Sequence, residues 1–282
     1  MNNIVEYFQH IPSLHRALIL AGGITFFWLV ESAVPLSGFQ YNKWKHAGIN
    51  IFFTATTIIV NFAFALFIVV TSDWCLHHRF GMLQWISMPV WLQLIAGLLL
   101  LDLIGAWLVH YVQHKVKWMW KFHIIHHSDT HVDTTTANRH HPGESVFRAV
   151  FTTLAVFICG APMWLVFLYQ TVSVVIAQFN HANIKMNKRI DKILTYIIVT
   201  PNMHRVHHHY IRPETDTNYG NIFPFWDKLF GTYSNMPVEQ VRYGLDVVEG
   251  RNDEDVKDLL KIPFGNAVKT GTRNAEMHPG AY

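Results

Sequence analysis

The chain has 282 residues, of which 51% are hydrophobic, 14% aromatic and only 15% charged, against about 25% charged in an ordinary soluble domain. With a mean hydropathy of +0.17 and a formal net charge of +3, the composition is that of an integral membrane protein. No basic cluster is interleaved with aromatics, which argues against nucleic acid as a partner. Cys75 and Cys159 stand far apart with no CxxC and read as buried free thiols.

The first apolar stretch, residues 14–36, is just long enough to span, and Glu31 with Pro35 marks its exit. No cleavable signal peptide is expected, because no short basic region precedes it. Residues 47–72 are uncharged and span easily at about 1.5 Å per residue. A third span is expected over 81–110, its helix continuing past Asp102 to His114. From Ala149 to Ile184 there is again no acidic or basic residue. That run is too long for one crossing, and Gly160-Ala161-Pro162 breaks it near the middle. Residues 146–180 are therefore expected as a tight hairpin.

The expected fold is an all-α integral membrane protein with about four membrane-spanning helices, the last pair a tight hairpin. A cytosolic helical cap over 110–145 and 181–265 completes a single domain, 1–265. Within the cap, Val256 to Leu260 reads as part of a short amphipathic helix. Residues 266–282 read as a flexible tail.

Orientation follows from the basic residues flanking the spans. Lys43, Lys45, Lys115, Lys117, Lys121, Lys185, Lys188 and Arg189 fall on one side, while Arg79 stands nearly alone on the other. The first group is expected on the cytoplasmic face, of a bacterial inner membrane or of the endoplasmic reticulum in a eukaryote.

Every histidine cluster lies on that side. Of 19 histidines, 13 fall between His110 and His209. HYVQH carries His110 and His114, HIIHH carries His123, His126 and His127, and HRVHH carries His204, His207 and His208. These are the spacings that place imidazoles on one helical face. Adjacent helical side chains diverge by roughly 100°, so His126 and His127 can serve two different ions. Eight nitrogen donors exceed what one zinc takes, which points to two metals at a membrane surface. Peptidase chemistry is disfavoured, since HExxH needs a glutamate where Tyr111, Ile124 and Arg205 stand. Bis-histidine haem would need pairs deep within spans. An all-nitrogen site open to oxygen suits iron, but imidazole also suits zinc and copper, so the metal stays open on spacing alone.

Together these motifs resemble the fatty acid hydroxylase (sterol desaturase) superfamily. The likeness extends through His126-His127-Ser128-Asp129, through Arg139-His140-His141-Pro142-Gly143-Glu144, and through the Gln178 to Asn183 segment. It closes on Asn218-Tyr219-Gly220-Asn221 and on the Trp226 to Tyr233 signature. The resemblance implies a membrane di-iron enzyme that uses O2 to hydroxylate or desaturate a C–H bond of a fatty acyl, sterol or related lipid. It implies two iron ions held by His110, His114, His123, His126, His127, His204, His207 and His208, with His181 as a ninth ligand. Asp129, Arg139, His141, Glu144, Asp216 and Asn218 are candidates for supporting roles, because metal-bound imidazoles need partners for their second nitrogen. Asp102, costly inside a span, is expected to be hydrogen-bonded in a functional role.

His209 is expected to support or to be solvated, and His131 and His140 to sit in loops. His10, His15, His46 and His278 are expected at the surface or interface, and His77 and His78 on the wrong side of the membrane. With no flavin, NAD, haem or iron–sulfur pattern, electrons are expected from a small cytosolic donor, a ferredoxin or a cytochrome b5-type protein. The partners are thus a lipid substrate and the bilayer. Two rivals remain at this level: a membrane metal-binding or zinc-transport protein, and a catalytically silent lipid-binding relative.

Overall fold

Long uncharged runs without water to satisfy their backbone must close their own hydrogen bonds, and helices do so. The computed structural model describes residues 1–248 and 254–265; the expected tail at 266–282 lies outside them. Among the described residues the chain is helical with no strands, apart from a lone bridge between Pro35 and Ile184. Five helical segments are long and apolar enough to cross a membrane: Ser13–Ala33, Lys43–Trp85, Val90–Lys115, Pro142–Cys159 and Met163–His181. The protein is an integral membrane protein.

A short helix α1 (Asn2–Gln9) precedes α2 (Ser13–Ala33). Helix α2 stops at Ala33 rather than running to residue 36. Beyond it the backbone pairs with the chain leaving a distant helix, Leu36 N–H donating to the Asn183 carbonyl and Lys185 N–H to the Val34 carbonyl. Helix α3 (Lys43–His77) has 35 residues, about 52 Å at about 1.5 Å each. That exceeds a hydrocarbon core of about 30 Å, so α3 is longer at both ends than the expected 47–72. Its polar first turns buttress the histidine cap.

The third span begins at Val90, not Gly81. Pro89 occupies the N-cap, and residues 82–85 form a separate α4 (Met82–Trp85). Helix α5 (Val90–Asp102) then passes through a π-helical turn, Leu103–Leu108, into α6 (Val109–Lys115). Such turns reset the register of a helix and recur at functional sites. The cap helix α7 (Lys117–His127) follows.

The fourth apolar run divides where expected, into α8 (Pro142–Cys159) and α9 (Met163–His181). Gly160 adopts φ +65°, the left-handed C-cap that favours glycine. Gly81, at φ +103°, passes so close that a Cβ on it would lie 2.3 Å from Gly160 N. Gln84 Nε2 donates to the Gly160 carbonyl at 2.7 Å, so both turns meet at the end of the bundle opposite the cap. From there α8 leans on α3 and α9 on α1 and α2, with α5 against both.

The cap continues through α10 (Lys188–Leu194), α11 (Pro201–His207), α12 (Phe225–Leu229) and α13 (Val256–Lys261). Its core joins Trp120, Ile124 and Ile125 of α7 to Ile49 and Phe53 of α3 and to Leu259 of α13.

Candidate metal centre

Helices α6, α7 and α11 and the last residue of α9 bring nine histidines together, none more than 7% exposed. They sort into two groups. His110, His114, His123, His127 and His207 form one, and His126, His181, His204 and His208 the other, the donor atoms within each group lying within 4.8 Å of one another. The split follows from helix geometry. Residues i and i+4 point about 40° apart, whereas i+3 falls about 60° to the other side of i. In α7 the pair His123 and His127 therefore joins one group and His126 the other. In α11 and its C-cap residue the roles reverse, His204 and the capping His208 going together and His207 crossing over.

The tautomers of five rings are set by acceptor-only partners. His110 Nδ1 donates to the Tyr219 carbonyl at 2.9 Å, His114 Nδ1 to Asp216 Oδ1 at 3.2 Å and His123 Nδ1 to Glu144 Oε1 at 2.9 Å. His207 Nδ1 donates to the Thr217 carbonyl and His181 Nδ1 to the Ala177 carbonyl, both at 2.7 Å. A ring whose Nδ1 proton is so committed turns its Nε2 to the centre, where it can serve as a ligand. His110 Nε2 and His123 Nε2 stand 3.1 Å apart, and the buried Nε2 atoms of His114 and His207 have no hydrogen-bond partner. Two lone pairs cannot hydrogen-bond to each other, so the arrangement calls for a cation. In the second group His181 Nε2 lies 3.2, 3.0 and 3.3 Å from the Nε2 atoms of His126, His204 and His208. With metal–nitrogen bonds of about 2.1 Å, neighbouring ligands stand about 3.0 Å apart at right angles and about 3.4 Å apart in a tetrahedron. The residues fit a pair of metal ions. Burial, reinforced by the neighbouring histidines, holds His126, His127, His204 and His207 well below the ordinary histidine range, keeping them neutral as ligation requires.

Two carboxylates support the five-histidine group directly. Glu144, buried at the start of α8, holds His123 and also faces Arg148 at 3.5 Å. Asp216 holds His114 and pairs with Lys115 and Arg212. Burial works against its ionisation, but His114, Lys115 and Arg212 together outweigh it and bring the carboxyl down to about 2. The carbonyls of Thr217 and Tyr219 flank Asn218, which sits at φ +51° and donates through Nδ2 to the Met203 and Ser234 carbonyls. Asp227 fixes the following turn by accepting from the Tyr219 and Gly220 amides. Asp102 accepts from the Ile222 and Phe223 amides and from Trp226 Nε1, each at 3.2 Å, so its hydrogen bonds shape this loop from within α5.

The other candidates stand farther from the imidazoles. Asp129 accepts from His46, the Thr136 hydroxyl and the His131 amide. Burial opposes its charge, yet His46 and Arg139 hold its carboxyl well below the usual range. Arg139 Nε donates to the Ile125 carbonyl and its guanidinium reaches Asn50 Oδ1, pinning α7 to α3. His141 caps α8, its Nδ1 accepting from the Gly143 amide. His209 Nδ1 accepts from the Arg242 amide, outside both groups.

The surface reading of His46 is overturned. It is 3% exposed, between Asp129 and Asp133, because the polar first turns of α3 pack under the 129–139 segment. His140 sits in the loop before α8 as expected, and from there its ring centroid lies 5.0 Å from that of His126 and its Nε2 3.7 Å from Glu144. Glu31 also escaped notice beyond marking a span end. It is fully buried, pairs with Lys43 at 3.0 Å, and accepts the Thr134 and Asn183 amides. A carboxylate at the end of an apolar run was the available signal, the same one that drew attention to Asp102.

Residues 94–232 match the family model for fatty acid hydroxylase. The chain is 29% identical over 183 residues to an ornithine lipid hydroxylase of Rhizobium tropici, covering 65% of this chain and 53% of the relative. It is 33% identical over 176 residues to an alkylglycerol monooxygenase of Homo sapiens, covering 60% and 36%. A cholesterol 25-hydroxylase-like protein 1, member 2, of Danio rerio is 26% identical over 160 residues, covering 55% and 56%. The chain thus spans only about a third to about a half of the length of the first two relatives. No solved structure matches it significantly.

Proposed function

From the match of residues 94–232 to the fatty acid hydroxylase family model we propose that the chain is a membrane-bound, O2-dependent oxidoreductase that hydroxylates a C–H bond of a lipid, or desaturates it. The observation that carries the reading is the convergence of nine buried imidazoles into groups of five and four, several with their Nδ1 protons already committed. In this proposal each group holds one iron. When bound, the iron pair supplies the redox chemistry by which RH, O2, two electrons and two protons become ROH and water.

The chain's own residues supply position and neutrality. Glu144 and Asp216 orient His123 and His114 and raise the basicity of their Nε2 atoms, as partners of ligating imidazoles do. The Tyr219 and Thr217 carbonyls do the same for His110 and His207 without adding charge. Trp120, tilted, and Tyr219, edge-on, pack beside His114 with ring centroids at 4.7 and 5.1 Å and keep water from that flank.

The relatives are named for lipids, and the centre sits at the end of five apolar helices, which supports a lipid substrate drawn from the bilayer. Lys43, Lys115 and Lys185 at the histidine end of those helices support a cytoplasmic centre. In the same reading residues 1–265 act as one domain, α8 and α9 cross out and back as a hairpin beneath the helical cap, and a ferredoxin or cytochrome b5-type protein delivers the electrons.

Protein purified without oxygen should contain about two irons per chain. Comparing lipids of cells with and without the chain under ¹⁸O2 gives substrate and reaction together. A labelled lipid means hydroxylation, and loss of two hydrogens without label means desaturation. Zinc alone with an unchanged lipid profile would sink the proposal.

A further inference from the structure

Outside the five spanning segments the cap exposes a second apolar surface. In α10 and the turn after it, Ile190, Ile193, Tyr196 and Ile197 are 55%, 63%, 67% and 62% exposed, and no residue of α10 is buried. Leu229 and Phe230, at 67% and 49%, extend the patch onto the end of α12. Lys228 ties the two parts together, its Nζ donating to the Thr195 carbonyl at 3.3 Å and standing 4.6 Å over the Tyr196 ring. A water-facing cap would not show so many large apolar side chains together.

Three features say what covers it. The patch is rimmed by Lys188, Arg189, Lys192 and Lys228, all exposed; the acids nearby are Asp191 and Glu239, the latter 3.7 Å from Lys188. The segment is stitched to the boundary of a spanning helix, since Lys185 N–H donates to the Val34 carbonyl just past the end of α2. It also begins a few residues after α9, another span, ends at His181. Ile190 and Ile193 on α10 and Ile197 in the turn after it, flanked by cations at the level of the headgroups, are the makings of a segment lying in the plane of an anionic bilayer.

We propose that α10 and the end of α12 form an in-plane membrane-binding surface that inserts Ile190, Ile193, Ile197 and Leu229 at the acyl boundary of an anionic lipid leaflet. Lys188, Arg189, Lys192 and Lys228 meet the phosphates. Because α10 links His181 to the helix bearing His204, contact with the leaflet also steadies the chain between two members of the four-histidine group. The proposal does not depend on the reaction catalysed.

The test uses the full chain in vesicles of phosphatidylcholine, with and without phosphatidylglycerol. Nitroxides are placed at Ile193→Cys and Lys188→Cys, with Cys75 and Cys159 replaced by serine. Relaxation by lipid-soluble O2 relative to a water-soluble nickel chelate should be several-fold greater at 193 than at 188, and phosphatidylglycerol should raise it further. Equal ratios at the two positions overturn the proposal. So does protection of 193 from both reagents, the result expected if a second copy or another protein covers the face. On the unaltered chain, a phosphatidylglycerol analogue with a diazirine near its ester linkage should label the 186–198 peptide as strongly as the chain around Val34. Labelling at Val34 without labelling at 186–198 would also overturn it.

Discussion

His110 and His123 face each other through their Nε2 atoms at 3.1 Å, and the Nδ1 proton of each is already given, one to the Tyr219 carbonyl and the other to Glu144. Two lone pairs held at that distance inside a buried cap repel unless a cation lies between them. On the proposed reading, metal binding and cap stability are coupled. Chelation should loosen α7 and α11, seen as faster amide exchange over 117–127 and 201–207 with the spans unchanged. Saturating metal at a hundred times its Kd should restore about 2.7 kcal/mol. Identical exchange with and without chelator would count against the coupling.

The unequal groups make single substitutions distinguishable. His181→Ala leaves three imidazoles in its group, whereas His207→Ala leaves four in the other. Metal analysis should show His181→Ala losing close to one of two equivalents, with a smaller loss for His207→Ala. Product formation should fall by orders of magnitude in both. Equal retention of both equivalents in His181→Ala would remove that residue from the centre.

Glu144 acts through His123, so its removal should weaken metal binding rather than unfold the helix. Loss of a partner to a ligating imidazole lowers metal affinity about 10–100-fold. Glu144→Ala should show that shift in a competition titration. Glu144→Gln, whose amide oxygen still accepts from Nδ1, should show a smaller one.

Glu31 lies outside the matched residues 94–232, yet it accepts the Asn183 amide two residues past His181 and neutralises Lys43. Removing one partner of a buried pair costs about 3–5 kcal/mol. Glu31→Ala should lower thermal stability in detergent accordingly and weaken metal retention in the four-histidine group first. Unchanged stability and unchanged metal content would place the pair among inert contacts.

The local periodicities were legible in the sequence alone. Uncharged runs marked the spanning helices, Gly160-Ala161-Pro162 marked the break between α8 and α9, and the histidine spacing set which imidazoles share a helical face. These depend on neighbours within a few residues, and a helix repeats every 3.6 residues wherever it lies. Span ends were less legible, because the stop at Ala33 rests on backbone pairing with residues 183–185 and the start at Val90 on a proline cap. Helical spacing separated His126 from His123 and His127, and His207 from His204 and His208, but tertiary structure decided which of these join one another and so the division into five and four, since that depends on where α6, α9 and α11 meet α7. It alone decided that the Thr217 and Tyr219 carbonyls fix two imidazoles, because Asn218, Asp227 and the distant Asp102 shape that loop together. It also buried His46 and Glu31. A side chain's neighbours in sequence set its direction on a helix, but only packing against distant segments decides whether that direction ends in water or in a carboxylate.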